Sequence, residues 1–182
     1  MTFDLTNRQT IFASLPKGGI GAEVGVAYCT FSKDIIRLAQ PDLLYLIDCW
    51  EQQPYSVCGD DAANTSQESK DGQYYQALMF FVTDPKVRVV KAFSEKVAPL
   101  FPNEYLDFIY IDPNHLRAYQ DCAAWWPKIK KGGYLIGDDY IDRGNCFTVK
   151  TDVNRFVAER GLKLIVAVDA ETEYKNYIIP KE

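Results

Sequence analysis

Apolar residues along this chain fall into short continuous runs, separated by longer stretches in which they recur at helical spacing. Residues 20–24, 43–47, 87–90, 106–111 and 134–136 read as buried strands, since short apolar runs bounded by turn residues fit a sheet covered on both faces. Residues 31–39, 74–81, 94–100 and 116–126 read as helices, with Pro41 and Pro102 closing the first and third. Strand and helix therefore alternate, which predicts an α/β fold with helices on both faces of a parallel sheet. Near the end the pattern changes. A helix at 149–160 leads through Gly161 to an apolar run at 162–168, and only residues 169–173 join that run to another at 174–179. A parallel crossover needs a dozen residues or more, so the final pair must be antiparallel.

The stretch 51–73 interrupts the alternation. It is polar, contains Gly59-Asp60-Asp61 and shows no clear period, which predicts a long loop or lid. At 182 residues the chain fits a single domain, 1–182, able to bury a core without disulfide or metal staples. The net charge of −5 and the absence of any Lys/Arg block argue against a nucleic-acid partner. No apolar run approaches a membrane span, and residues 1–20 lack the charged start and apolar centre of a signal peptide, so no membrane association is expected. Cys29, Cys49, Cys58, Cys122 and Cys146 are odd in number and form no C-x-x-C pair, and the chain holds a single histidine. A reduced, cytoplasmic setting follows rather than a disulfide framework or a zinc site.

Candidate chemistry lies where the apolar runs end, because ligands of open α/β sheets bind beyond the carboxyl ends of the strands. Glu23-Val24-Gly25 closes the first run and Asp48 closes the second, a spacing at which an acid can hydrogen-bond ribose hydroxyls. An adenosine-bearing cofactor is implied. The turn reads Gly25-Val26-Ala27-Tyr28-Cys29-Thr30, with one glycine where a dinucleotide's pyrophosphate needs G-x-G-x-x-G. Glu23 suits a cationic amino group, or else it is a surface acid beside a glycine that merely relaxes the turn.

Asp112, Asp138 and Asp139 are expected at the ends of neighbouring strands, roughly 5 Å apart. Carboxylates that close repel unless a cation or proton joins them, and an oxygen-only set suits Mg²⁺ or Mn²⁺. Asp138 and Asp139 also read as acids that cap a turn and face solvent. His115, three residues after Asp112, either serves as general base toward a substrate hydroxyl or simply opens the next helix. Trp50, Trp125, Trp126 and the pairs Tyr74-Tyr75 and Phe80-Phe81 read as packing residues, with Tyr74 or Tyr75 also a candidate pocket wall.

Four segments in order, Gly21-Ala22-Glu23-Val24-Gly25-Val26, Leu46-Ile47-Asp48, Asp107-Phe108-Ile109-Tyr110-Ile111-Asp112 with His115, and Gly132-Gly133-Tyr134-Leu135-Ile136-Gly137-Asp138-Asp139-Tyr140, resemble the class I S-adenosylmethionine-dependent methyltransferases. The match is to a small stand-alone branch with I-D-x-x-H and G-G-x-x-x-G-x-D-Y segments, and it covers residues from about 18 to 179. The resemblance implies a doubly wound, Rossmann-like sheet of seven strands, mostly parallel with an antiparallel last strand. It implies Glu23 and Gly25 around the methionine moiety, Asp48 on the ribose, Phe93 and Ser94 beside the adenine, and Asp112 where methyl donor and acceptor meet. Metal-dependent sugar and catechol O-methyltransferases are similar in placing one acid after the fourth strand and two after the fifth, positions matched by Asp112, Asp138 and Asp139. The chain departs from the pattern at Cys29, where a second glycine is common, and at Pro113, where a small residue is usual. The expected function is methyl transfer from S-adenosylmethionine to a hydroxyl of a small molecule such as a sugar, assisted by a metal or by His115. The rival readings are an NAD-dependent oxidoreductase, disfavoured by the missing glycines, and a cofactor-binding module without catalysis.

Overall fold

An N-terminal helix, α1 (Arg8–Ser14), precedes the elements read from the sequence. It starts at a reciprocal cap in which the Asn7 side chain accepts from the Thr10 amide and the Thr10 hydroxyl accepts from the Asn7 amide. In the computed structural model, which describes residues 2–58, 61–112, 114–144, 147–169 and 175–182, the chain continues as β1 (Ile20–Val24), α2 (Thr30–Ala39) and β2 (Leu43–Asp48). It then forms α3 (Tyr55–Cys58), α4 (Gln67–Phe81), β3 (Val87–Lys91), α5 (Ser94–Val97), β4 (Leu106–Ile111), α6 (Ala118–Trp125) and β5 (Ile129–Gly137). A short ribbon, β6 (Asp142–Arg143) and β7 (Phe147–Thr148), leads to α7 (Val149–Arg160), β8 (Ile165–Val168) and β9 (Lys175–Pro180).

The seven-stranded sheet has the order β3-β2-β1-β4-β5-β9-β8, parallel from β3 to β5, with β9 antiparallel to both its neighbours. The strand order reverses between β1 and β4. There Val24 pairs with Ile47 on one side and Ile111 on the other, and Ile111 pairs with Gly137, so four strands end level.

Side chains alternate across this sheet and build two cores. Ala22, Val24, Ile109, Ile111 and Leu135 face α6 and α7, while Leu44, Leu46, Phe108, Tyr110 and Ile136 face α1, α2 and α4. Helices on both faces make the doubly wound arrangement expected from the alternation of runs.

Three expectations change. Helix α4 begins at Gln67, capped by the Ser66 side chain, so the polar stretch 51–73 ends inside a helix. Its inward positions Lys70 and Gln73 are polar and only Ala77 and Phe81 are apolar, which removed the periodic signal. On its outer side Tyr75 and Phe80 are exposed, at 66% and 44%, rather than folded over the core. Finally, β5 starts at Ile129 and takes in Gly132 with φ 80°, where the pairing with β4 shifts register. The expected segment 134–136 is its regular part. Residues 170–174, which include most of the expected turn before the last strand, lie outside the described residues, as do Gly59, Asp60, Pro113 and Cys146. Among the described residues no helix is long and apolar enough to cross a membrane.

Candidate active site

A cavity of about 650 Å³ opens over the carboxyl ends of the central strands, walled by Gly25, Asp48, Phe93, Asp112, His115 and Asp139 among others. Its floor is the turn after β1. Gly25 takes φ 93°, a left-handed value suited to glycine, and its amide donates to the Ile47 carbonyl at 2.9 Å. The next two amides, of Val26 and Ala27, both donate to Asp48 Oδ2 at 2.9 Å, and the Trp50 amide donates to Asp48 Oδ1 at 2.7 Å. Asp48 therefore stands on the cavity wall as expected, with both oxygens tying two loops together. Cys29 and Ala27 hold left-handed backbone, φ 59° and 45°. The backbone at Cys29 thus keeps the conformation that glycine favours, at a cost of roughly 1–2 kcal/mol for a side chain.

Beyond β3, Phe93 lines the cavity and Ser94 sits beneath it. The Ser94 hydroxyl accepts from Trp125 Nε1 at 2.9 Å and donates to Asp121. Burial raises the Asp121 pKa to about 6, against the pull of the Ser94 hydrogen bond. Glu23, by contrast, does not reach the cavity wall. Alternation along β1 turns it toward α2, where it is 1% exposed and accepts from Ser32 Oγ. Burial lifts its pKa to about 8, with the Ser32 hydrogen bond opposing. The expected contact with a cofactor amino group is replaced by this internal pair.

The acids of β4 and β5 separate into two groups. Asp112 and Asp139 converge on His115, whose Nε2 lies 3.4 Å from Asp112 Oδ1 and 3.1 Å from Asp139 Oδ2. Asp138 lies elsewhere, contrary to the expected triad of carboxylates. It follows Ile136 onto the α1 face, where Arg8 Nη1 pairs with it at 2.7 Å and Tyr110 donates at 2.9 Å. Asn176 donates to its other oxygen. Asp139 points the opposite way because its backbone turns left-handed, φ 49°. Gly137, just before them, lies flat against the Tyr177 ring, which any side chain would strike.

The imidazole of His115 is held on every side. Its Nδ1 is 3.1 Å from Asp61 Oδ2, its ring stacks on Phe147 with centroids 4.1 Å apart, and its carbonyl accepts from the Thr148 amide at 2.9 Å. Burial works against a charged ring, but the nearness of Asp112, Asp139 and Asp61 outweighs it and raises the His115 pKa far above the ordinary value. The hydrogen bond to His115 lowers that of Asp61. Burial raises the Asp112 pKa, with Asp138 and Asp139 adding to the effect and His115 opposing it. Although two carboxylates flank Nε2, neither lies along its ring N–H direction, and among the described residues this buried nitrogen has no hydrogen-bond partner.

Nε2 and one oxygen each from Asp112 and Asp139 lie within 4.8 Å of one another. An orphaned nitrogen between two carboxylates fits a divalent cation, because a metal accepts donors that need not lie on a hydrogen-bond axis. With His115 in place of Asp138 the donor set becomes one nitrogen and two oxygens, which moves the preference away from Mg²⁺, an ion of oxygen-only sites.

Sequence reasoning missed Arg8, Asp61 and Lys70. The N-x-x-T cap at Asn7 and Thr10 was the signal for the helix that carries Arg8. Asp61 and Lys70 come from the aperiodic stretch, where nothing marked individual residues.

A family model described as a methyltransferase domain matches residues 19–140, a span containing Gly25, Asp48, Asp112, His115 and Asp139. No curated protein matches the chain by sequence. Similar solved structures include a precorrin-6y C5,15-methyltransferase from Geobacter metallireducens, with TM-score 0.66 and 14% identity over 96% of this chain and 87% of that one. A Corynebacterium glutamicum protein is similar at TM-score 0.62 and 14% identity, over 100% and 82% of the two chains. An S-adenosylmethionine-dependent methyltransferase from Aquifex aeolicus is similar at TM-score 0.60 and 15% identity, over 97% and 89%.

Proposed function

The chain belongs to the methyltransferase-domain family, and within it we propose that this protein transfers the methyl group of S-adenosylmethionine to a hydroxyl of a small molecule, a saccharide being the class in view, with a divalent cation assisting. The observation that carries this reading is the buried, unpartnered Nε2 of His115 between Asp112 and Asp139 on the cavity wall. Methyl transfer is an in-line displacement, so most of the protein's contribution is to align acceptor oxygen, methyl and sulfonium. A hydroxyl acceptor must also lose its proton. A divalent ion bound by Asp112, His115 and Asp139 supplies Lewis acidity that lowers a hydroxyl's pKa.

The chain's own residues prepare that site. Asp61 lies 3.1 Å from Nδ1 of His115 and would hold the proton there when a cation takes the place of the one on Nε2, and Phe147 fixes the plane of the ring. Phe93 offers an aromatic surface to the adenine, and Asp48 stands beside the ribose while holding the turn after β1. The turn's engaged amides disfavour a dinucleotide, which supports methyl transfer over hydride transfer.

The test is transfer of labelled methyl from S-adenosylmethionine to a panel of saccharides, catechols and matched amines, with chelator and with Mn²⁺ or Mg²⁺ added back. Methylation of hydroxyls that stops in chelator and returns best with Mn²⁺ is the expected result. Full activity in chelator would defeat the metal. Transfer confined to the amines would defeat the hydroxyl acceptor.

A further inference from the structure

Among the described residues Lys70 is a largely buried cation with no counter-ion in bonding contact. It stands on the inward face of α4, is 9% exposed, and lines the cavity. Among the described residues no hydrogen bond or ion pair reaches its ammonium group. The acids that could neutralise it are already engaged: Asp61, whose ionisation responds to Lys70, bonds to His115 and to the Ala63 amide, and Asp48 is held by three backbone amides.

A lysine whose side chain is largely buried, whose ammonium meets no protein acceptor among the described residues and which lines a cavity is placed for a ligand anion to complete it. One turn further along the same face, Gln73 is 2% exposed and among the described residues its Oε1 has no hydrogen-bond partner. The inward stripe of α4 thus changes from apolar at Ala77 and Phe81 to polar and unsatisfied as it nears the cavity.

We propose that Lys70 is the anion-binding residue of this cavity and receives a carboxylate of a bound ligand. The proposal rests on the methyl-transfer reading for the identity of the ligands. Two carriers present the same chemistry: the methionine carboxylate of the cofactor, and an acidic group on the acceptor. Lys70 lies close enough to both Tyr28, on the turn after β1, and Asp61, on His115, to influence their ionisation, so either carrier is within its surroundings.

The test compares wild type with Lys70→Met and Lys70→Arg by calorimetric titration of S-adenosylhomocysteine, of 5′-methylthioadenosine, which lacks the amino-acid moiety, and of malonate as a bare carboxylate. If the cofactor supplies the anion, Lys70→Met weakens S-adenosylhomocysteine at least tenfold, leaves 5′-methylthioadenosine unchanged, and Lys70→Arg restores part of the loss. If the acceptor supplies it, S-adenosylhomocysteine binds Lys70→Met as before, while the malonate binding seen with wild type disappears in Lys70→Met. A melting temperature in Lys70→Met at or above that of wild type also agrees, since an apolar group of similar size relieves an uncompensated charge. The proposal is overturned if Lys70→Met binds all three ligands as wild type does, if wild type binds no carboxylate from either source, or if the variant melts well below wild type with unchanged binding. A wild type that binds malonate through Lys70 but neither adenosyl ligand would remove the methyl-transfer reading and keep the anion site.

Discussion

Asp138 and Asp139 are neighbours in sequence and similarly enclosed, with side-chain exposures of 11% and 19%, yet one is neutralised by the fold and the other is available to a ligand. Asp138 continues the alternation of β5 onto the α1 face and meets Arg8, Tyr110 and Asn176. Asp139, turned by its left-handed backbone, meets His115 in a cavity where the opposing cation is a titratable ring. The difference teaches that burial alone does not mark a functional acid. What separates the two is whether permanent donors satisfy the carboxylate or leave it to share a proton or a metal.

The strongest way to break this comparison is His115→Ala. It should lower the rate of methyl transfer by roughly 10²- to 10⁴-fold, the usual contribution of a positioned acid–base group, and it should also lower the melting temperature because Asp61, Asp112 and Asp139 lose their shared cation. A rate within threefold of wild type would remove His115 from the chemistry. Next, Asp138→Ala should destabilise the fold by about 3 kcal/mol, the lower end for breaking a buried pair because Arg8 is about a third exposed. For a chain of this size that is a fall of roughly 6–12 °C. Asp139→Asn should instead weaken Mn²⁺ binding and leave melting nearly unchanged. Equal thermal losses in the two variants would erase the distinction.

A smaller effect belongs to Asp48. Its substitution by Ala should weaken S-adenosylmethionine by roughly 1.5–3 kcal/mol in titration, the range for hydrogen bonds to a charged group. Unchanged affinity in a folded variant would leave Asp48 with only its loop-tying role.

Glu23 sharpens the contrast through pH. It keeps its proton up to about pH 8 when folded and has a reference pKa of 4.5 when unfolded, so the unfolded chain binds fewer protons between those values. Its contribution to stability is therefore fully present below pH 4.5 and is lost as pH rises toward 8, by at most about 1.4 kcal/mol per unit. Urea unfolding of wild type and Glu23→Gln at pH 5 and pH 8 checks the sign: the variant should gain relative to wild type as pH rises. The least disruptive measurement is amide exchange over the described part of residues 51–73. It should slow when S-adenosylhomocysteine binds, and equal protection with and without ligand would argue against a lid.

Much of this was legible in the sequence for a physical reason. Fully buried parallel strands are continuous apolar runs, and their ends place Asp48, Asp112 and Asp139 on the cavity wall. The five-residue link before the last strand was enough to infer its reversal. What could not be read was side-chain direction at the ends of runs. Alternation from Ile136 pointed Asp138 toward α1, but only a backbone dihedral decides where Asp139 turns. The second half of helix α4 was legible at residues 74–81, but its first half was hidden because the inward face near the cavity is polar, so Lys70 there and Asp61 before it lacked the apolar period that reveals an element. Helix α1 had a cap signal but only Ile11 and Phe12 as a buried stripe.

The turn after β1 has a consequence for selectivity among cellular nucleotides. Its amides form the kind of cradle that binds phosphate elsewhere, but here the Asp48 carboxylate already occupies it. An entering diphosphate would have to evict an anion held by charge-assisted bonds worth roughly 1.5–3 kcal/mol each, and would meet that anion's repulsion as it did so. Abundant polyphosphates are thereby excluded by prior occupancy, and a cofactor whose adenosine ends in a sulfonium meets no such competitor.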